Sequence, residues 1–306
     1  MCHGRGRQSG GFGPPKGGLP GRQSGGLGPP KGGLGGWVPP GSGGSPGGSS
    51  PRGKILVGTS GWQYRDWRGL FYPPEVPQRR WLEYYASQFA TVENNGTFYR
   101  LPTRETFAGW RDRAGGDFVM TVKASRYLTH VRRLRDPAEP VHRLLEAAAG
   151  LGGQFPWLGP VLLQLPPDLR AAPRLLDECL GCFPPGLRVA VEPRHESWWT
   201  DRTREILAAR NAALCWTDRQ GTAVTPLWRT ADWGYLRCHE GDGEPWPRYR
   251  ESSLRAWADR IAAAWAEGLD AYVYFNNDQG GAAPRDAAAF AAGVARLGRA
   301  VSRTGA

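Results

Sequence analysis

The chain has 306 residues, 40% of them hydrophobic, and a formal net charge of +11 at neutral pH. It contains no run of 18 apolar residues, so we expect no membrane-spanning segment. The N-terminus carries no apolar signal core and the five cysteines follow no disulfide pattern, which predicts a cytoplasmic protein with reduced thiols.

Residues 1–53 differ from the rest of the chain in composition. They are mainly Gly, Pro and Ser, and the string RQSGGFGPPKGGL is followed by the near copy RQSGGLGPPKGGL. So few apolar side chains cannot offset the entropy of ordering the backbone, which predicts a disordered low-complexity tail before a folded domain over 54–306. Two interpretations of the tail stay open: a genuine part of the protein, or a mis-assigned start site.

The tail also carries much of the positive charge. Up to Lys54 the chain holds seven basic residues and no acidic one, which leaves a net charge of +4 from Ile55 onward. The overall charge is therefore weak evidence for nucleic-acid binding.

From Ile55 onward, runs rich in β-branched and aromatic residues alternate with segments of helical periodicity. The predicted strands cover 55–60, 91–95, 118–124, 161–166, 188–194, 212–218, 233–239 and 270–277. The predicted helices cover 79–89, 103–114, 140–151, 173–183, 201–211, 252–267 and 285–301. The segment 219–232 is short and contains Pro226, so we expect the sixth unit to lack a full helix.

Eight strands alternating with helices in about 250 residues predict a single (β/α)₈ TIM-like barrel. A doubly wound open sheet is the alternative fold, because the number of strands does not prove closure. Side-chain alternation favours the barrel. Near most strand ends one face is polar and the other apolar, as expected where outer helices bury the apolar face and polar side chains converge in the mouth.

Several segments make the sequence similar to a known family. They include GTSGWQYRDWRGLFYP from Gly58, RVAVEPRHESW from Arg188 and YVYFNND from Tyr272. The chain resembles the YecE-like family, barrel proteins described as a domain of unknown function. The resemblance implies a TIM-like barrel and no particular activity. Two residues at the end of the second strand depart from the family: Asn94 stands where the family looks apolar, and Gly96 where Ser is usual.

Lys123 is the only lysine after Lys54, although the domain is rich in arginine. At a strand end it is a candidate for proton transfer or Schiff-base chemistry, because an ammonium group has an adjustable pKa. The alternative is a structural ion pair with Glu93 or a neighbouring carboxylate.

Glu192 and Arg194 share the inward face of the fifth strand, as a general base and an anion clamp or as a buried brace. His239 and Arg237 lie on the seventh strand, with Asp218 on the sixth. His239 is expected to act as an acid or base, and a divalent metal held with the carboxylates is a weaker hypothesis.

The candidate residues form two groups. The catalytic candidates are Lys123, Glu192, His239, Asp218 and Glu93. The substrate-binding candidates are Arg194, Arg237, Asn276, Asn95, Trp62 and Tyr99, the two aromatic residues as stacking surfaces or as core or lid packing. The glycines of the turn at Gly58 are expected to let a ligand approach. Cys179 and Cys182 form a C-x-x-C pair at the end of a predicted helix, where packing is a better explanation than redox or zinc chemistry.

Two functions remain in competition. The first is an enzyme (hydrolase, lyase or isomerase) that acts on a small polar or anionic substrate by acid–base chemistry at the mouth. The second is a nucleic-acid-binding barrel without catalysis, gripping a strand with arginines and aromatic residues. The sequence leaves the cofactor and the oligomeric state open.

Overall fold

The structure, a computed structural model, describes residues 53–152, 157–265 and 268–303. The predicted tail over 1–53 lies outside the described residues except for Gly53. In the described part, no helix is long and apolar enough to cross a membrane, and the four cysteines there are free thiols.

Strands and helices alternate along the chain in the predicted order. The strands are β1 (Lys54–Thr59), β2 (Thr91–Asn94), β3 (Val119–Lys123), β4 (Leu158–Gln164), β5 (Val189–Glu192), β6 (Ala213–Leu214), β7 (Trp216–Arg219), β8 (Thr222–Ala223), β9 (Gly234–Cys238), β10 (Ala271–Phe275) and β11 (Ala300–Val301). The helices are α1 (Trp81–Gln88), α2 (Gly96–Tyr99), α3 (Arg104–Ala114), α4 (Ala138–Ala148), α5 (Pro173–Leu180), α6 (Asp201–Ala209), α7 (Glu251–Ala264) and α8 (Ala282–Arg296).

The strands form two sheets that are parallel apart from the β7–β8 pair. One sheet has the order β2-β3-β4-β5-β6 and the other β11-β1-β10-β9-β7-β8. The single strand predicted over 212–218 is therefore two segments, one in each sheet, separated at Cys215. The predicted lack of a helix after it is confirmed: the hairpin partner β8 and an irregular loop occupy 222–232.

A tyrosine hydroxyl joins β1 to β2. Tyr85 Oη accepts from Thr59 N at 2.9 Å and donates to the Thr91 carbonyl oxygen at 3.1 Å. Gly58 makes this approach possible, because a Cβ there would lie 2.2 Å from the Thr91 oxygen. The glycine thus admits a neighbouring strand, which corrects the expectation that it admits a ligand.

Two apolar clusters lie on opposite faces of the strands. The larger packs strand residues such as Val92, Val122 and Leu163 against the helices. The smaller joins residues of both sheets, including Leu56, Leu162, Tyr235 and Tyr274. Tyr274 Oη on β10 reaches Thr91 Oγ1 and Thr121 Oγ1 of the other sheet at 2.7 and 2.8 Å. The described residues thus show parallel strands with an inner and a helix-covered face, while no ladder closes β1 onto β2.

Candidate active site

The carboxyl ends of five strands contribute one connected set of buried polar side chains. It runs by hydrogen bonds from β3 through β4, β5 and β9 to β2, in the order Lys123, Gln164, Glu192, Arg237 and Glu93. The parallel register places Gln164 directly beside Glu192. The alternation of inward and outward side chains along the strands brings these groups to the same end of the sheets.

Arg237 is the centre of this set and is 1% exposed. Its Nη1 donates to Glu192 Oε2 at 2.7 Å, and its Nη2 donates to Glu93 Oε1 at 2.8 Å. Burial acts to raise the pKa of both glutamates, but the Arg237 charge and further donors outweigh it, so both pKa values are lowered. Glu93 and Glu192 are therefore held ionised, and the charge of Arg237 is matched inside the protein.

Two further donors fix Glu93 from either side. Ser60 Oγ, which follows β1, donates to Oε1 at 2.7 Å, and Tyr235 Oη on β9 donates to Oε2 at 2.5 Å. All three side chains are fully buried. This carboxylate thus braces strands of both sheets and has no free edge for a substrate.

The environment of Lys123 differs from that of Arg237, because Lys123 has no carboxylate partner in the described part of the chain. Its Nζ donates to the neutral amide oxygen of Gln164 at 2.8 Å and lies 4.3 Å from the centre of the Phe98 ring. The residue is 8% exposed, and the ion pairs of the described residues include none with Lys123 within 4.0 Å. Burial, then the nearby Arg237 charge, lowers the pKa of Lys123 to about 8.

His239 is held through both ring nitrogens. Its Nε2 lies 3.1 Å from Glu192 Oε1 and its Nδ1 lies 3.1 Å from Asn276 Nδ2. Because the ionised Glu192 has no proton to give, Nε2 carries the hydrogen and Nδ1 accepts from the amide. Burial and the Arg237 charge lower the pKa of His239, so the imidazole is neutral near pH 7.

Two cavities, each of about 410 Å³, open beside these groups. Both are lined by Arg194, Arg219 and His239. The guanidinium of Arg194 lies 3.1 Å from Glu192 Oε1, and its side chain is 35% exposed. The second cavity is completed by residues of the loops after β9 and β10, including Asn276 and Asp278. The wall of each cavity thus carries two arginines and two carboxyl groups: Glu192 and Glu196 line the first cavity, and Glu240 and Asp278 line the second.

Asp278 lines this second cavity and has a shifted pKa. Burial raises the pKa of its carboxyl to about 7, although the Tyr64 hydroxyl and the Arg237 charge act to lower it. Its Oδ1 is buried and has no hydrogen-bond partner among the described residues. Trp67 Nε1 donates to its backbone oxygen at 2.7 Å and so fixes the start of the loop.

The model of the family described as "Protein of unknown function DUF72" matches residues 56–305. The chain belongs to the DUF72 family. This is the family that the sequence motifs indicated under the YecE-like name. The UPF0759 protein YunF of Bacillus subtilis is 24% identical over 262 residues, which cover 74% of this chain and 90% of that protein.

Two solved structures of DUF72 proteins are similar to the chain. One from Thermotoga maritima is 27% identical, with a TM-score of 0.67 over 76% of this chain and 96% of that one. One from Enterococcus faecalis is 19% identical, with the same TM-score over 79% and 95%. The DUF72 family carries no assigned activity, so function must be argued from the site itself.

Asp218 does not share the site with the other candidates of this DUF72 chain, which corrects its predicted inward position. Trp257 Nε1 of α7 donates to its Oδ2 at 2.7 Å, and Tyr249 Oη donates to its Oδ1. The physical reason is the alternation set by Trp216, which packs on Trp265 on the helix side and places the residue two positions later on that same side. The metal set that included Asp218 is therefore not assembled, and the described residues contain no cluster of three metal-ligating side chains.

The remaining binding candidates are dispersed. Trp62 is a core residue, packed edge-on against Trp110 at 5.6 Å, which corrects its predicted stacking role. Tyr99 is 81% exposed at the end of α2. Asn95 precedes α2, and its buried Oδ1 has no partner among the described residues. Arg237, predicted to bind substrate, instead neutralises the two glutamates.

Two members of the site were missed among the candidates chosen from the sequence. Gln164 and Asp278 fall on the polar face predicted from strand alternation, but neither was chosen as a candidate. A single glutamine on a strand does not by itself indicate a site, so the bridging role of Gln164 between Lys123 and Glu192 could not be predicted from composition. Burial raises the pKa of Asp278. The contacts around it involve distant residues such as Trp67, more than 200 positions away, and are therefore invisible to local pattern.

Proposed function

We propose that this DUF72 protein is an enzyme that binds a small anionic substrate at the carboxyl ends of its strands and acts on it by proton transfer. The observation that carries the proposal is the charge of the connected polar set, in which three cations share two carboxylates. The cations are Lys123, Arg194 and Arg237, and the carboxylates are Glu93 and Glu192. Lys123 has only a neutral acceptor, and Arg194 also lines two adjoining cavities. A bound carboxylate or phosphate would supply the missing negative charge.

The fold supports a sheltered site if the two sheets act as one (β/α)₈-like barrel. Tyr85 bridges β1 and β2 where a ladder would close, and the segments β6 and β7 link the sheets through Cys215. In such barrels the chemistry lies at the carboxyl ends of the strands. The polar set from Lys123 to Glu93 has that position.

Different groups have different roles in this proposal. Asp278 gains and loses the proton, because its pKa of about 7 matches the operating pH of a general base. Arg194 clamps the anion. Glu93 and Glu192 stay ionised and position Arg237 and His239, instead of the proton-transfer roles first expected of them.

A thermal-shift panel of phosphorylated and carboxylated metabolites tests the proposal. At saturation, a ligand at about 100 times its Kd adds roughly 2.7 kcal/mol, or several degrees of Tm in a protein of this size. Arg194→Gln should abolish the shift. Arg143→Gln, at an exposed pair on α4, is the matched control and should leave it intact. If no anion raises Tm, or the rise survives Arg194→Gln, the proposal fails.

A second candidate function is binding of single-stranded nucleic acid, and one observation favours it. Exposed aromatic side chains lie in the segments that follow three strands: Tyr99 after β2, Tyr127 after β3 and Trp246 after β9, at 81%, 49% and 53% exposure. Bases stack on such rings, and flanking arginines contact phosphates.

A binding experiment on the full-length protein distinguishes this function from the first. The basic tail contributes equally to wild type and to a Tyr99→Ala, Trp246→Ala double variant, so the difference between them reports the aromatic residues. Stacking predicts a loss of about 1–3 kcal/mol per base in binding to oligo-dT at fixed salt. Equal affinity of the two proteins would remove the nucleic-acid function.

A further inference from the structure

A buried amino group with a single neutral partner is an unusual structural element. Lys123 lies at the end of β3, covered on one side by the Phe98 ring, whose centre is 4.3 Å from Nζ. Its other contact is the Gln164 amide oxygen at 2.8 Å. A lysine that merely braced the strands would be expected to reach a carboxylate, because buried charges are normally paired.

Gln164 prevents that pairing. Its Oε1 accepts from Lys123, while its Nε2 donates to Glu192 Oε2 at 2.8 Å. The amide thus bridges the Lys123 ammonium and the Glu192 carboxylate. Burial and the Arg237 charge lower the pKa of Lys123, and together they outweigh the opposite effect of the Glu93 and Glu192 charges.

We propose that Lys123 is a nucleophile that forms an imine with a small aldehyde or ketone bearing a carboxylate or phosphate. This rests on the proposed anion-binding function and names its substrate class: the anion pairs with Arg194 and the carbonyl carbon meets Nζ. The structure assigns Gln164 as the residue that positions the amine and keeps it apart from Glu192.

The step balances without a further reactant. The neutral amine donates its lone pair to the carbonyl carbon, and the C=O bond opens to a carbinolamine. The C–O bond then breaks as the C=N bond forms, and the two protons lost by nitrogen leave with the oxygen as water. The amine must be neutral to attack, and burial brings the pKa of Lys123 to about 8. At pH 8 its neutral fraction is about a hundredfold above that of an ordinary lysine.

The chain is well suited to a trapping experiment, because it contains only four lysines: Lys16, Lys31, Lys54 and Lys123. The full-length protein is incubated at pH 8 with glyoxylate and sodium cyanoborohydride, which reduces an imine to a stable secondary amine. Peptide mass spectrometry then locates the added carboxymethyl group. We expect Lys123 to be modified at least about tenfold faster than Lys54, which is exposed on β1. Labelling of Lys54 as fast as Lys123 overturns the proposal.

Two comparisons distinguish imine chemistry from simple reactivity. Acetaldehyde lacks the anion, so Lys123 should prefer glyoxylate to acetaldehyde, and Arg194→Gln should reduce that preference about tenfold. An unchanged preference contradicts the assigned substrate class. A glyoxylate-dependent rise in Tm without trapping leaves anion binding standing and sinks the imine, so the two proposals fail separately.

Gln164→Glu tests the positioning role. A carboxylate in place of the amide would raise the pKa of Lys123, so the pH at which trapping reaches half its maximal rate should move upward by about one unit or more. Gln164→Met removes the acceptor without adding charge and is the matched control, for which the profile should not move upward. An unshifted profile in Gln164→Glu overturns the role of Gln164.

Discussion

Buried carboxylates lie at the mouth and on the helix side of the strands, and these two sets differ in the charge of their hydrogen-bond partners. At the mouth, Glu93 and Glu192 share the guanidinium of Arg237, and their pKa values are lowered. On the helix side, Asp218 accepts only from Tyr249, Trp257 and a backbone N–H, and burial raises its pKa. Burial is similar in both places, so the partner decides the sign of the shift.

Lys123 extends this comparison to a cation. It is buried like Arg237 but has a neutral partner, and its pKa moves towards the neutral form, as does that of Asp218. Glu93 and Glu192, which face Arg237, are kept ionised, whereas Asp218 and Lys123, which face neutral partners, are shifted towards their neutral forms. The mouth therefore combines groups held in one ionisation state, which orient their neighbours, with Lys123 and Asp278, whose pKa values are shifted towards neutrality. The proposed chemistry uses the latter two.

The largest expected effect comes from removing the shared cation. Arg237→Met leaves two buried carboxylates without a counter-charge, which should cost about 3–5 kcal/mol in the free energy of unfolding. Urea denaturation measures this loss. Arg255→Gln, at an exposed pair with Glu251 on α7, is the control and should change stability by less than about 0.5 kcal/mol. A similar small loss at Arg237 would show that the buried network contributes little.

Amide substitutions compare the two sets of carboxylates directly. Glu93→Gln removes a charge that faces Arg237 and should cost about 2–3 kcal/mol, whereas Asp218→Asn faces neutral donors and should cost about 1 kcal/mol or less. The Tyr249 hydroxyl can rotate to accept from the new amide. The cost of Glu93→Gln should also depend on pH. Because the folded pKa of Glu93 lies below its unfolded value, the carboxylate stabilises the protein above about pH 4.3. This contribution to the free energy of unfolding is lost as pH falls.

The stability gap between wild type and Glu93→Gln should accordingly narrow below about pH 4.3. Urea unfolding from pH 3 to pH 7 measures it. Equal costs for the two substitutions at pH 7, or a gap that widens in acid, would contradict the distinction between charged and neutral partners.

The regular part of the fold was accessible from the sequence. The alternation of side chains located the strands and the polar face of β2, β3, β5 and β9 correctly, because each strand has one face on the helices and one facing inward. The missing sixth helix was predicted from Pro226 and the short segment around it. The closed barrel that was predicted is not shown by the described residues, which form two sheets. There β1 meets β2 through the Tyr85 hydroxyl, a contact that no backbone pattern encodes.

The site was less accessible, for reasons that particular residues illustrate. Trp216 packs among the aromatic residues of the helix side and turns Asp218 outward, although the sequence alone allowed either face. Trp62 is buried by Trp110, a contact between distant segments. Asn94 and Gly96, the two departures from the family, act together: Gly96 N donates to Asn94 Oδ1 at 3.0 Å, which begins a short helix where a strand end was expected.

The smallest effect, and the most discriminating, concerns Lys123. A structural brace would predict that Lys123→Met is destabilising and that Lys123→Arg partly preserves stability. The structure predicts the reverse order. Folding holds the pKa of Lys123 at about 8, below the ordinary value of about 10.4, so the folded protein binds this proton more weakly than the unfolded chain. Wild type is therefore penalised below pH 8, and the penalty disappears as pH rises through 8 towards 10.4.

Lys123→Met removes the penalty but leaves the Gln164 oxygen without its donor, which offsets part of the gain. The net result should be a variant about 1–2 kcal/mol more stable than wild type at pH 7, with a gap that closes by about pH 10. Lys123→Arg keeps a permanent charge without a carboxylate and adds bulk, so it should be less stable than both. Urea unfolding of the three proteins at pH 7 and pH 10 measures these differences. A Met variant several degrees less stable than wild type, with Arg close to wild type, would make Lys123 a brace and remove the basis for its chemistry.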